Sequence, residues 1–270
     1  MDAQNPLINQ WALILGASSG FGEATGLELA RIGMNIFGVH LDRKATLPNV
    51  ERIVGQIKGM GREAMFFNVN AADPEKRREV LDQIQAKLEE RGESATIRVL
   101  LHSLAFGTLK PFIATAPQEA VTPSQMDMTL DVMAHSLVYW VQEVVARKLM
   151  TQGGRIFAMT SAGGHRVWRT YGPVSAAKAA LESHVRQLAL ELAPMGITAN
   201  AIQAGVTDTP ALRKIPGNEE MIKMAQERNP SGRTTTPADV AAAIGVFSQP
   251  GTHWMTGNVI RVDGGEDIVG

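Results

Sequence analysis

Three side chains within the segment TSAGGHRVWRTYGPVSAAK, residues 160–178, have the chemistry of a proton-handling site: the Ser161 hydroxyl, the Tyr171 phenol and the Lys178 amine. A phenol has an unperturbed pKa of about 10 and is a weak acid near neutrality, but a neighbouring ammonium favours its ionised form and lowers that value. Tyr171 and Lys178 are candidates for such a pair. Taken alone, the two read more simply as a core tyrosine and a surface lysine, and a second motif far upstream tips the balance. The apolar run 155–159 just before them reads as a buried strand, so the chemistry is expected at a strand end.

The upstream motif is GASSGFG at 16–22, between an apolar run at 11–15 and a helical segment at 23–31. Glycines let a backbone approach a pyrophosphate closely, and the following helix offers free N–H groups and a positive dipole end. Gly16, Ser18, Ser19, Gly20, Phe21 and Gly22 are therefore candidates to hold a dinucleotide. A structural tight turn is the competing reading, because the glycine pattern is weakly specific; its place between a first strand and a first helix favours the dinucleotide.

These residues need a scaffold that brings strand ends together. Strand-length apolar runs recur at 11–15, 34–39, 64–69, 97–102, 155–159, 197–202 and 258–262, with one-faced helix patterns between most of them. Val50, Ile53, Val54 and Ile57 form one stripe; Leu81, Ile84 and Leu88 another, behind Asp73-Pro74 and ended by Gly92. A long helix over 126–149, another through Leu181, Val185, Leu188 and Leu192, and one behind Thr236-Pro237 complete the set. Alternating buried strands and amphipathic helices imply a doubly wound α/β fold, the seven runs forming a parallel sheet with helices on both faces. At 270 residues and 44% hydrophobic content, a single domain is expected. The segment 210–233 is charged and broken by Pro216-Gly217 and Pro230; it follows a strand end and reads as a substrate lid or an ordinary surface excursion.

With 26 basic against 27 acidic side chains, net charge −1, no strong field favours nucleic acid or an anionic membrane. The absence of cysteine excludes disulfides and thiol chemistry. His102, His135, His165 and His184 have no partners at ligand spacing, so no metal is expected. The start MDAQNPLINQ lacks a signal-peptide pattern, and the chain reads as cytoplasmic.

GASSGFG, Asn68-Val69, the Tyr171 to Lys178 segment, Asn200-Ala201-Ile202 and Val262-Asp263-Gly264-Gly265 together resemble the short-chain dehydrogenase/reductase family over nearly the whole chain. The resemblance implies a Rossmann domain binding NADH or NADPH, a homotetramer, and a tyrosine and lysine in the active site. It places Asn68 and Val69 by the adenine, Ser103 and Ala105 by the nicotinamide ribose, and Lys178 on the ribose hydroxyls. Gly205, Val206, Thr207 and Thr209 would contact the carboxamide and pyrophosphate.

The departures narrow the resemblance. Where most members carry Asn-Ala-Gly, this chain has His102-Ser103-Leu104-Ala105-Phe106, similar to the enoyl-acyl-carrier-protein reductase branch. The common tyrosine position four before the lysine is Val174; Tyr171 stands seven before it, again as in enoyl reductases. Met133 stands where many members have an asparagine, which puts an asparagine relay in doubt. Ser161 holds the usual serine position.

Spacing has a physical meaning. Reducing a C=O bond of about 1.2 Å delivers hydride and proton to adjacent atoms, so the acid must stand beside the nicotinamide. In a 2-enoyl thioester the hydride goes to C3 while charge collects on the thioester oxygen, so the acid must stand farther away, by about 2 Å. A tyrosine moved from four to seven residues before the lysine shifts about one turn in that direction, on a turn just preceding a helix that starts near Pro173.

The resemblance thus implies NAD(P)H-dependent reduction of a carrier-protein-linked or CoA-linked enoyl substrate, as in fatty-acid synthesis. A carbonyl reductase of the same family and a non-catalytic dinucleotide-binding protein are the competing readings. At the end of the second strand, Asp42 favours NADH, whereas Arg43 and Lys44 favour NADPH.

Overall fold

The computed structural model describes residues 6–92 and 96–269. Its strands are β1 (Trp11–Leu15), β2 (Asn35–His40), β3 (Ala64–Asn68), β4 (Ile97–His102), β5 (Arg155–Ser161), β6 (Thr198–Ala204) and β7 (Val259–Val262). They form one parallel sheet in the order β3-β2-β1-β4-β5-β6-β7. The helices are α1 (Gly20–Arg31), α2 (Leu47–Gly59), α3 (Pro74–Arg91), α4 (Pro123–Leu130), α5 (Ser136–Ala146), α6 (Gly172–Leu192), α7 (Asn218–Arg228) and α8 (Pro237–Phe247).

The alternation along β1 shows why both faces must be covered. Trp11, Leu13 and Leu15 enter one core with α3, α5 and α6, while Ala12 and Ile14 enter a second core with α1, α2 and α8. The chain winds outward through β1, β2 and β3, then returns to place β4 on the other side of β1. A crevice opens where the direction of winding reverses, beyond the carboxyl ends of β1 and β4. The glycine loop follows β1 and Ser103 follows β4, so both border that crevice.

The end of β5 and the long helix differ from the sequence expectation, while the start of α6 agrees with it. β5 runs two residues past Met159 and ends on Ser161, with Ser161 paired to Ala204 of β6, so the sheet itself positions the serine. The expected helix over 126–149 is interrupted: a π-helical turn, Asp131–His135, joins α4 to α5 and buries Met133 and Ala134. Such a turn holds one extra residue and changes the direction of the side chains that follow it. α6 begins at Gly172 with Pro173 in its first turn, leaving Tyr171 as the residue before the helix.

Candidate active site

The glycine loop is shaped by contacts that exclude side chains. Gly16 has φ +91°, and a Cβ there would lie 2.3 Å from the Ser103 carbonyl oxygen. At Gly22 a Cβ would lie 2.0 Å from the carbonyl oxygen of Gly16. Gly22 is thus required by the turn's own backbone, in addition to any room it clears for a pyrophosphate. Gly20, at φ +56°, faces the Thr209 methyl. Ser19 precedes α1 without capping it through its side chain, which leaves first-turn N–H groups of α1 for another acceptor. Asn49 Nδ2 donates to Ser18 O at 2.8 Å and to Glu23 Oε2 at 3.1 Å, and Arg52 pairs with Glu23, fixing the outer wall of the loop. Phe21 packs from the loop against the α1 and α8 core. A tight cradle with open helix amides fits a dinucleotide pyrophosphate.

At the end of β2 the Asp42 carboxylate meets His40 Nδ1 at 2.9 Å. Burial opposes its ionisation, but hydrogen bonds from Thr46, Ser18 and His40 together hold it below the usual carboxylate value. Asn68 accepts from the Asp42 N–H at 2.9 Å and donates to the Asp42 carbonyl at 3.0 Å, so its amide locks the β2 turn to β3. Val69 N–H bonds the His40 carbonyl beside it. Arg43 and Lys44 are exposed.

Ser161, Tyr171 and Lys178 converge beyond β5. A Cβ on Gly163 would touch both the Tyr171 ring, at 2.5 Å, and Ser161 Oγ, at 3.2 Å. Ser161 Oγ is buried without a hydrogen-bond partner of good geometry, although it lies near enough to the phenol to favour its ionised form. Lys178 is buried and its Nζ donates to Met159 O at 2.7 Å. Burial pushes its ammonium down to about 8, opposed by the Glu182 carboxylate, which accepts from Thr160 Oγ1 at 2.6 Å.

The expected lowering of the tyrosine pKa is not what the structure contains. Burial raises the Tyr171 phenol, Ser161 offsets this only in part, and Lys178 contributes nothing resolved. The lysine's charge is directed at the Met159 carbonyl instead. Val174, in the position four before Lys178, is buried with Met133 and Ala177 in a small apolar cluster that Tyr171 packs against. Gly107 closes this cluster: a Cβ there would lie within 3.0 Å of Thr129, Met133 and Val174.

The loop after β6 closes the crevice from the other side. Thr207 and Thr209 are buried, Thr207 Oγ1 donating to Gly205 O and Thr209 Oγ1 accepting from Leu212 N–H. Val206 N–H already donates to Glu266 Oε2 at 3.0 Å, and a Cβ on Gly205 would strike Thr235 and Glu266. Ser103 N–H bonds the Leu15 carbonyl, and Ala105 is exposed.

Sequence reasoning did not find Glu266 or its neighbour. Asp267, with a side chain 3% exposed, holds His165 at 3.0 Å, Arg166 at 2.7 Å, Arg261 at 3.1 Å and Gln203 at 3.0 Å. This anchors the loop between Ser161 and Tyr171 to β6 and β7. These partners lie about a hundred residues from the loop they hold, and no local pattern marks them. The histidines are also not solitary: His135 Nδ1 meets His184 Nε2 at 2.9 Å, and His102 Nε2 meets Ser136 Oγ at 2.8 Å. No cluster of three metal-ligating side chains occurs among the described residues.

A doubly wound sheet in this strand order, with a glycine turn after β1 and serine, tyrosine and lysine beyond β5, defines a short-chain dehydrogenase/reductase. The sequence model of the Enoyl-(Acyl carrier protein) reductase family matches residues 16–266, and the chain belongs to that family. It is 30% identical over 268 residues to 1-cyclohexenylcarbonyl-CoA reductase of Streptomyces collinus, covering 96% of this chain and 88% of the relative. It is 29% identical over 262 residues to the enoyl-[acyl-carrier-protein] reductase [NADH] of Nostoc sp., covering 96% of both. The enoyl-[acyl-carrier-protein] reductase (NADH) of Aquifex aeolicus shares its fold with a TM-score of 0.82 at 25% identity, covering 98% of each chain. The promiscuous reductase LugOII, a keto-reduction catalyst, gives 0.82 at 28% identity, covering 97% of this chain and 99% of its own. The protein is an oxidoreductase of this class.

Proposed function

We propose that the protein reduces the 2,3 double bond of enoyl thioesters, carried on acyl-carrier protein or CoA, with NADH or NADPH as reductant. The observation that carries this reading is the position of the phenol. Tyr171 lies before the first turn of α6, while the place four residues before Lys178 is Val174, buried in an apolar cluster. A phenol set back by about one turn suits an oxygen three bonds from the carbon that receives hydride, two more than in a ketone.

The residues divide the work as follows. The 16–22 loop and the α1 amides would hold the pyrophosphate, with the loop after β6 closing over it. Lys178 would hold the ribose hydroxyls; one ammonium donor is already committed to Met159 O, which orients the others. When bound, the dinucleotide supplies the hydride to C3. Tyr171, kept protonated at neutral pH by burial, would donate to the thioester oxygen as charge collects there. Ser161 Oγ, next to the phenol but in no hydrogen bond of good geometry, would turn toward the same oxygen. Tyr139, the other tyrosine, sits on α5 under Arg77.

The relatives support this reading, since both the Streptomyces and the Nostoc proteins are named for reducing unsaturated acyl groups. Similarity to LugOII favours keto-reduction as the second reading. Dinucleotide oxidation measured side by side with a 2-enoyl and a 3-ketoacyl thioester separates the two: turnover of the ketone with none of the enoyl substrate refutes the proposal. A lid over 210–233, a homotetramer and a cytoplasmic location belong to the same reading. Val246, Trp254 and Val259 are exposed near the free β7 edge and support self-association. No described helix is long and apolar enough to cross a membrane.

A further inference from the structure

At the opposite, amino-terminal end of the sheet two arginines stand on neighbouring strands with no carboxylate paired to them among the described residues. β4 is irregular against β1: Trp11 pairs with Ile97 and Ala12 with Val99, so Arg98 is an extra residue between them. A bulge of this kind re-aims a side chain out of the ladder. The Arg98 guanidinium lies against Gly153, where a Cβ would come within 3.3 Å of both terminal nitrogens and the carbon between them. Gly153 has φ +90°, so the chain keeps a conformation and a residue type that leave this room.

Arg155, on β5 beside Val99, is 1% exposed. Its terminal nitrogens reach only carbonyls, those of Gly153, Gly154 and Gln249, and its Nε has no partner. Arg98 makes no ion pair among the described residues, and its buried Nε also lacks a partner. Burial, and then the charge of Arg98, push the Arg155 guanidinium down to about 10. Two cations so placed repel each other, Arg155 is cut off from water, and a guanidinium does not escape by losing its proton near neutrality.

Arg98 lines a cleft of about 410 Å³ with Gln10, Thr96, Thr151 and Gln152. Its described lining has guanidinium, amide and hydroxyl donors and no acid. We propose that this cleft is a binding site for a phosphate-class oxyanion, either free phosphate or the phosphoryl end of a larger molecule. The Arg98 fork would take two oxygens side by side, the amides and hydroxyls the remainder, and Arg155 would add charge from beneath. The site lies about 20 Å from the Tyr171 region, the length of β5, so an anion there leaves the reacting atoms untouched.

The test uses the full-length protein with its dinucleotide saturating, so that phosphate has no access to the glycine loop. Inorganic phosphate and a phosphate monoester, glycerol 3-phosphate, are titrated by calorimetry into wild type, Arg98→Gln and Arg98→Lys. Wild type is expected to bind, Arg98→Gln to weaken binding by about tenfold or more, and Arg98→Lys to retain part of it. Tighter binding of the monoester assigns the site to a larger phosphorylated molecule, and equal binding to the free ion. In phosphate-free buffer Arg98→Gln should melt no lower than wild type, since it removes a repulsive charge. A lower melting temperature means that a counter-charge within the chain already neutralises Arg98 and overturns the proposal. So does an absence of binding to wild type, or equal binding to Arg98→Gln.

Discussion

Lys178 provides a measurable consequence of building a site inside the fold. Its ammonium is 6% exposed as a residue and has a pKa depressed from 10.5 to about 8, chiefly by burial. Below pH 8 the amine is protonated in both folded and unfolded chains, and the burial penalty is fully present. Between about 8 and 10.5 the unfolded chain binds more protons than the folded one, so stability rises with pH through that window. For these two values the gain between pH 7 and pH 10 is about 2.5 kcal/mol. Lys178→Met keeps the stem and removes the charge. It also loses the bond to the Met159 carbonyl, an offset of about 1 kcal/mol with no dependence on pH here. Urea unfolding followed by tryptophan fluorescence at pH 7, 8, 9 and 10 should therefore show the advantage of Lys178→Met over wild type shrinking by about 2.5 kcal/mol. A difference constant to within about 0.5 kcal/mol would refute the reasoning, because it would mean that the ammonium is hydrated or neutralised in the folded protein.

Three further outcomes are expected. Tyr171→Phe should lower kcat on an enoyl thioester by about a hundredfold to a thousandfold with dinucleotide affinity near wild type; a nearly active Tyr171→Phe beside a dead Ser161→Ala would reverse the assigned roles. Gly22→Val should abolish dinucleotide binding in calorimetry and also lower thermal stability, since its side chain strikes the Gly16 carbonyl before it meets any ligand; normal binding in the folded variant would remove the loop from the site. Amides in 210–233 should gain hydrogen-exchange protection when dinucleotide and enoyl substrate are added together, and full protection in the free protein would make the segment framework.

That segment shows how local signals and tertiary ones part company. Its breakers were legible, and Gly217 does adopt a left-handed φ of +79° before α7. Its attachments were not: Trp168 donates to the Pro216 carbonyl, and Asn229 Nδ2 donates to the Asp263 carbonyl at 2.8 Å. The long helix gives a similar lesson. Its apolar stripe was visible, but the π-helical turn around Met133 was not, because one inserted residue alters the period less than the stripe's own irregularity.

The sequence by itself determined the strands, most helices, the parallel doubly wound class and the glycine turn. Each is a short-range property: a period of two or 3.6, a proline after a capping residue, a glycine where φ is positive. Tertiary structure alone decided the electrostatics. Whether Lys178 lowers the Tyr171 pKa depends on which atom the ammonium faces, and it faces the Met159 carbonyl on β5. Glu266 and Asp267 hold the loops around the crevice from the far end of the chain, and His135 meets His184 across two helices. Burial and hydrogen-bond partners are set by segments distant in sequence, and it is these that fix the charge state of every ionisable group at the site.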